Sequence, residues 1–515
     1  MHRQHNNSIR SWMIFVATAV ALSAIVWVVW SLATHRDILP SGASVHSQTT
    51  VSVGLTDAPQ SLDIRTDDSP AVERALLGNV YETLVSRDEH NQLVAGLAKR
   101  WTTSDDGLTY TFTLRSGLRF ANGDTLDSSD VVWSLQQIVR NKYVGADDLA
   151  GLKSVTNPDA TTVTVTLAHT DPTLLRALAG RAGIVYDQQA GMSTSGKAAD
   201  TVGSGPFTVS GFAAGKSVTL TRNERYWGDA SAAATVTLRY YGDDKALVEA
   251  ARKGDVDVAM PANAAAAAGL AKQDPSLTVA SGTSTSKVML AFNNDDSSIF
   301  SDQQARQTVR YAVDAKSIAA SQADSAGALG GPISQLEPGY EDLTSLFPFD
   351  QGKASQMIAY FAGGTSYFGV INFVVPQDRA DLGNTIADQL RAVGLSVNVQ
   401  TVDDATLDER IANGQYTMAL TTMDGTDDAA VFGSSDNRFH YTSGSAQETY
   451  AKAMAATNDD AYAAAMKTFA KTVSEDAAAD WLYTRKTTVV ATSRASGYPT
   501  NLTDQYLPLG DLTIK

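Results

Sequence analysis

Alternation of apolar and polar residues marks out the strands of this chain. "TVSVGL" (50–55) alternates over one short strand, and "LTYTFTLR" (108–115) sets Tyr110, Phe112 and Leu114 against threonines, the period of two of a half-buried strand. "TTVTVTL" (161–167), "SVTLTR" (217–222) and "ATVTLRYY" (234–241) repeat the pattern between glycine-containing turns, which predicts a large sheet from 160 to 240. Helical spacing appears between them. Ser69 stands as an N-cap before Pro70, and Val72, Leu76, Val80 and Leu84 follow on one face, so one helix is expected beneath all four. Asp127 or Ser128 caps another over "SSDVVWSLQQIV" (128–139).

After about residue 285 the pattern becomes strand, helix, strand. "INFVVP" (371–376) leads to "RADLGNTIADQLRAV" (379–393), a stop at Gly394 and "LSVNVQTV" (395–402); "ATLDERIA" (405–412) then leads through Gly414 into "YTMALTT" (416–422). Repeated units of this kind predict a mainly parallel sheet covered by helices, an α/β fold. Ligands of such sheets bind beyond the carboxyl ends of the strands. One strand runs straight into Asp424, Asp427 and Asp428 beside Gly425, a stretch that fits a solvated turn, a calcium loop or a socket for a cationic ligand. The calcium option fails on spacing, because the acids do not match D-x-[DN]-x-[DN]-G and no Glu stands at the twelfth position. Ala-rich stretches at 263–272 and 446–480 are expected to be surface or packing helices, and no internal repeat is visible.

A chain of 515 residues exceeds what one core serves, so two or more lobes of roughly 100 to 250 residues are expected. With 43% apolar and 19% charged residues the body is globular, and a formal charge of -16 repels phosphates, so nucleic acid is not expected as a partner. The absence of cysteine excludes disulfides, thiolate zinc sites and cysteine nucleophiles. Location is read from the N-terminus. The run "SWMIFVATAVALSAIVWVVWSLA" (11–33) carries no charge and is long enough to cross a hydrocarbon core of about 30 Å. Arg3 and Arg10 precede it with no acid, which puts residues 1–11 in the cytoplasm, 12–33 in the membrane as a signal-anchor, 34–48 as a tether, and the body outside. An uncleaved anchor is expected, since the apolar run exceeds the roughly 7 to 15 residues of a signal-peptide core.

The stretch from 61 to 135, "SLDIRTDDSPAVERALLGNVYETLVSRDEHNQLVAGLAKRWTTSDDGLTYTFTLRSGLRFANGDTLDSSDVVWSL", resembles the opening signature of the family 5 extracytoplasmic solute-binding proteins, receptors of ABC importers. "VGSGPFTVSGF", "LTRNERYWGD", "ARKGDVDVAM", "MLAFNN" and "ARQTVRYAVDAKSI" are similar to its later blocks, in order, the first of them to a glycine-rich crossing. The resemblance covers 51–515. It implies a two-lobed clamshell with a hinge, lobe I from 49–282 plus 486–515 and lobe II from 283–485, closing on a ligand between them. It implies a peptide or similar small polar solute as ligand, permease subunits with their ATPases as partners, and a monomer.

In peptide-binding members that this chain resembles, a strand ends in Trp-x-x-Asp followed by a second acid and Pro, and the Asp receives the ligand's α-ammonium. Here Thr421 takes the tryptophan position, Asp424 the aspartate, Asp427 the second acid and Asp428 the proline. The implied ligand-facing residues are Thr421, Thr422, Met423, Asp424 and Asp427 in lobe II, with Asp67, Asp68 and Ser69 on the lobe I wall. Physical chemistry supports Asp424 separately, since an ammonium leaving water needs a carboxylate to meet it.

Two rival readings stand beside the receptor. "STSK" (284–287), "SDN" (435–437) and "KTT" (486–488) are similar in order to the S-x-x-K, S-D-N and K-T-G elements of penicillin-recognising enzymes, but "STSKVMLAFNN" continues as a strand where the nucleophile must open a helix. A membrane-anchored serine acyl-enzyme is therefore the remotest option, and the chain is not expected to be an enzyme. A tethered sensory or structural clamshell without an importer is the nearer alternative. Only His90, His169 and His440 of the seven histidines fall in the body, none near another in sequence, so no metal and no cofactor are expected. Tyr226 and Trp227, although part of a family block, are expected to pack the core, as are Tyr81 and Trp133.

Overall fold

The computed structural model describes residues 49–191, 197–425 and 428–515, and the expected cytoplasmic segment, membrane span and tether (1–48) lie outside the described residues. No described helix is long and apolar enough to cross a membrane.

The first half is built on Thr50–Leu55, whose Val51, Val53 and Leu55 are buried. It pairs in parallel with Thr235–Tyr240 and Val258–Ala259, and the sheet continues antiparallel through Ser217–Arg222 to Phe207–Ala213. A separate four-stranded antiparallel sheet holds Ala98–Thr103, Thr109–Leu114, Thr162–Leu167 and Leu152–Asp159. The single sheet expected between 160 and 240 is thus two, because "TTVTVTL" pairs back to Thr109–Leu114 while the later strands pair to Thr50–Leu55. Ser128–Asn141 packs on the smaller sheet; Asp127 caps it, its carboxylate taking the Ser129 N–H while Asp130 returns a bond to the Asp127 N–H.

The helix opening at Pro70 ends at Leu76, short of the expected Leu84. Gly78 adopts a φ of +75° and donates its N–H to the Tyr81 carbonyl at 2.8 Å, which turns the chain. Val80 and Leu84 stay fully buried, reached from a turn and not from a helix face.

In the second half Val370–Pro376 lies between Ser396–Val402 and Met418–Met423, parallel to both. Side chains alternate between two cores. Phe373, Val375 and Leu420 face a core shared with the helices Gln303–Ala312, Gln351–Tyr360 and Ala380–Ala392. Val374, Ala419 and Met423 face one shared with Asp404–Ala412, Gly444–Met454 and Asp459–Glu475. Helices on both faces of a sheet are the expected α/β layering.

Two long strands, Leu277–Phe292 and Ala479–Thr492, join the halves. They run antiparallel from Leu277 opposite Thr492 to Ala291 opposite Ala479. One end of the pair takes Val258–Ala259 and the other takes Met418–Met423, so one 11-stranded mixed sheet passes through both halves. The expectation of a mainly parallel sheet holds only around Thr50–Leu55 and Val370–Pro376; the connecting strands and the strands Ser217–Arg222 and Phe207–Ala213 pair antiparallel. Their register shifts between Thr283 and Lys287, which leaves residues 284 to 286 out of the ladder midway along the connection.

Candidate functional site

A cavity of about 260 Å³ opens at that break in the ladder. Ser284, Thr285 and Ser286 line it from one connecting strand, and Arg485, Lys486, Thr487 and Thr488 from the other. The first half contributes Asp57 just beyond Thr50–Leu55, Met260, Pro261 and Ala262 just beyond Val258–Ala259, and Pro70 and Arg74 of the following helix. The second half contributes Asp424, the residue after Met418–Met423. Carboxyl ends of strands from both halves thus meet at one cleft, as the rule for α/β sheets requires.

Asp424 is exposed to the cavity and accepts the Ser286 hydroxyl at 2.5 Å. No Lys, Arg or His among the described residues forms an ion pair with it, although Arg74, Arg485 and Lys486 line the same cavity. The remaining charges are distributed around it. Asp57 lies 3.7 Å from the Arg74 guanidinium, and Asp504 accepts from Arg87 at 2.6 Å. Arg485 donates to the Ala262 carbonyl at 2.7 Å and faces Asp324 at 3.3 Å. Burial pushes the Asp324 carboxyl up, but Arg379 and Arg485, with the Tyr483 hydroxyl, outweigh it and hold the group below the usual carboxylate range.

Of the described residues named from sequence as ligand-facing, Asp424 lines the cavity. Thr421 is buried opposite Met289, Thr422 is half-buried opposite Val288, and Met423 is buried in the core of the second half. Asp427 lies outside the described residues. Asp428 turns inward and accepts the Gly425 N–H at 2.6 Å; burial raises its carboxyl, with Lys287 opposing.

Asp67, Asp68 and Ser69 also fall outside the lining. Arg181 collects the backbone carbonyls of Asp67 and Ser69 at 2.5 and 2.8 Å and bonds Glu73 at 2.7 Å, which ties that segment to the first half. Ser69 occupies the N-cap position, yet its buried hydroxyl makes no capping bond; its N–H is held by the Asp67 carboxylate at 2.9 Å.

Asp57, Arg74, Ser286 and Arg485 are cavity residues that sequence reasoning missed. The strand-end rule applied to "TVSVGL" points to Asp57, whereas nothing local marks Arg485. Tyr226 and Trp227 are half-buried, and Trp227 packs on the core of the first half: both donate to Glu82, at 3.2 and 2.8 Å, and Arg115 lies over the indole at 4.6 Å. The S-x-x-K run is no catalytic dyad, because Ser284 bonds the Arg485 carbonyl at 2.8 Å while Lys287 bonds Glu337.

Residues 92–445, more than half of the chain, match the bacterial extracellular solute-binding proteins, family 5. The chain belongs to this family. Among relatives, heme-binding protein A of Haemophilus influenzae is 26% identical over 67% of this chain and 69% of its own. Oligopeptide-binding protein AppA of Bacillus subtilis is 24% identical over 70% of each chain, and its structure with a nonapeptide aligns at a TM-score of 0.71, 19% identity, over 91% of this chain and 99% of that one. The ABC transporter substrate-binding protein CtaP of Listeria monocytogenes aligns at a TM-score of 0.80 and 18% identity, covering 90% of this chain and 99% of that one. Alignments to other curated relatives span from 41% to 75% of their lengths. The family 5 protein therefore has the two-lobed α/β fold of substrate-binding proteins.

Proposed function

We propose that this family 5 protein is the extracytoplasmic receptor of an ABC importer, taking a peptide or similar small polar solute between its lobes and delivering it to permease subunits powered by their ATPases. The observation that carries the reading is Asp424: an exposed carboxylate at a strand's carboxyl end, with no ion-pair partner among the described residues, inside the cavity between the two halves. The lobes are assigned as 49–282 plus 486–515 and 283–485, with the hinge at the two connecting strands, where the ladder is broken at 284 to 286.

The cavity carries both signs of charge, with Asp57 and Asp424 against Arg74, Arg485 and Lys486, the complement of a zwitterion. Its volume of about 260 Å³ lies just below the roughly 300 to 1,000 Å³ of small-molecule pockets and favours a short ligand over a long one. Relatives named for oligopeptide and di/tripeptide binding support the ligand class. The charge-free run at 12–33 supports a single-pass membrane anchor, with a monomeric body outside the cell.

Ligand that binds only the closed native state raises the melting temperature. The body, residues 49–515, should therefore melt higher with a pool of di- and tripeptides than without it. A shift with sugars or metal chelates and none with peptides would overturn the ligand assignment.

A further inference from the structure

The S-T-S-K run holds the ligand wall in place. Neighbouring residues of a strand point to opposite faces, and Ser286 and Lys287 take the segment 424–425 from both sides. Ser286 Oγ donates to the Asp424 carboxylate at 2.5 Å on the cleft side. On the inner side Lys287, fully buried, donates Nζ–H to the Gly425 carbonyl at 3.0 Å. The same ammonium donates to both oxygens of Glu337, at 2.8 and 3.0 Å, and Glu337 Oε2 also accepts the Ser334 N–H at 2.7 Å. Three acceptors saturate the three N–H bonds of the ammonium, so Lys287 has none left for a ligand.

Gly425 is held at both polar groups. Its carbonyl accepts from the buried Lys287 ammonium, and its N–H donates to the half-buried Asp428 carboxylate at 2.6 Å. A buried ion pair is a poor source of stability compared with apolar packing, so its presence calls for another role. We propose that Lys287 and Glu337 are the positioning pair of the cleft: they hold the Gly425 carbonyl, one residue past Asp424, and so aim the Asp424 carboxylate, and not Asp428, at the ligand. This rests on the reading of Asp424 as the acceptor of the ligand's cationic group and extends it to the residues that aim it.

The test uses the full chain as wild type, Glu337→Gln and the double variant Lys287→Met with Glu337→Gln, which removes both charges together and leaves neither buried alone. Hydrogen exchange of the ligand-free proteins reads the positioning directly. Amides of 424 and 425 should exchange at least tenfold faster in the double variant, with those of Ala479–Thr492 unchanged. Unaltered exchange at 424 and 425 overturns the proposal. Should the double variant fail to fold, Glu337→Gln alone, which keeps an acceptor for Ser334, is expected to speed the same amides about threefold, and no change there overturns it equally.

Calorimetry with trialanine and N-acetyltrialanine separates aiming from general stability. Trialanine should lose about tenfold in affinity in the double variant while the acetylated probe is unaffected; equal losses overturn the positioning role. A wild-type chain that takes neither probe counts against the peptide reading, and the exchange result then decides the pair's role alone.

Discussion

Arg485 stands with its Nε 3.3 Å from the Asp324 carboxylate and donates through Nη2 to the Ala262 carbonyl at 2.7 Å. Asp324 belongs to the half built on Val370–Pro376, where it also meets Arg379 at 3.0 Å and the Tyr483 hydroxyl at 3.1 Å. Ala262 follows a strand of the other half. One guanidinium therefore braces both halves at the edge of the cavity, three residues or fewer from where the connecting strands lose their ladder.

Arg485→Met should lower stability by about 1 kcal/mol, the net worth of a hydrogen bond with a weakened ion pair beside it. Arg485→Lys should fail to restore it, because one ammonium cannot reproduce the forked reach to a carboxylate and a carbonyl on opposite sides. Urea unfolding of the three proteins checks this. Wild-type stability in both variants would show that the brace contributes nothing.

Asp424→Asn should weaken a free-amine peptide by about ten- to a hundredfold, the roughly 1.5 to 3 kcal/mol of a charge-assisted hydrogen bond. The N-acetylated form of that peptide should bind the variant and the wild type alike. Equal losses for both forms, measured by calorimetry, would remove the ammonium role from Asp424. The folded state should be little affected, because Asp424 is exposed and its carboxylate accepts from the Ser286 hydroxyl, as an amide oxygen in its place also can.

Local patterns in the sequence carried most of the strands and much of the layering, and failed where a distant residue decides the outcome. "LTYTFTLR" and "INFVVP" became Thr109–Leu114 and Val370–Pro376 because alternation and apolar runs report burial of the residues themselves. The helix at Pro70 was overextended because four-residue spacing continues past Gly78, whose turn is set against Tyr81 and the Tyr506 ring. Lys287 sits at an inward strand position that looks wrong for a charge; its partner Glu337 is 50 residues away, beyond any local pattern. In the site, the strand-end rule points to a stretch of which Asp424 lines the cavity while Thr421 and Met423 are buried in the sheet. Arg485 was invisible for the same reason as Lys287: Asp324 and Ala262 reach it only through the fold.

Glu82 supplies a pH dependence. Burial pushes its carboxyl up to about 7, against the opposing effect of the Trp227, Ser204 and Tyr226 donors and of Arg115. A carboxyl raised in the folded state binds more protons there than in the unfolded chain, so its contribution is full below its ordinary value of 4.5 and is lost as pH rises through about 7. Glu82→Gln keeps an acceptor and removes the titration. The melting temperature of the variant should rise relative to wild type by a few degrees between pH 5 and pH 8. Parallel curves for the two proteins would mean that Glu82 does not titrate in this window.

Gly203 and Gly205, in the block "VGSGPF", offer a choice between hinge and packing. Both lie against the first half: a Cβ on Gly203 would stand 1.9 Å from the Val80 carbonyl oxygen, and one on Gly205 would stand 2.6 Å from that of Asn79. The same carbonyls accept the N–H groups of Gly205 and Phe207 at 2.9 Å, so an added methyl must push apart strands of chain that are bonded together. Gly203→Ala should therefore cost about 1 to 3 kcal/mol through overpacking, and more if the Gly205 bond breaks. Gly242→Ala, where the added methyl meets nothing within 4 Å, should change stability by less than about 0.5 kcal/mol. Because neither glycine lines the cavity, ligand affinity of folded Gly203→Ala should equal that of wild type. A stable Gly203→Ala protein with altered affinity would reverse the assignment and make this block part of the moving joint.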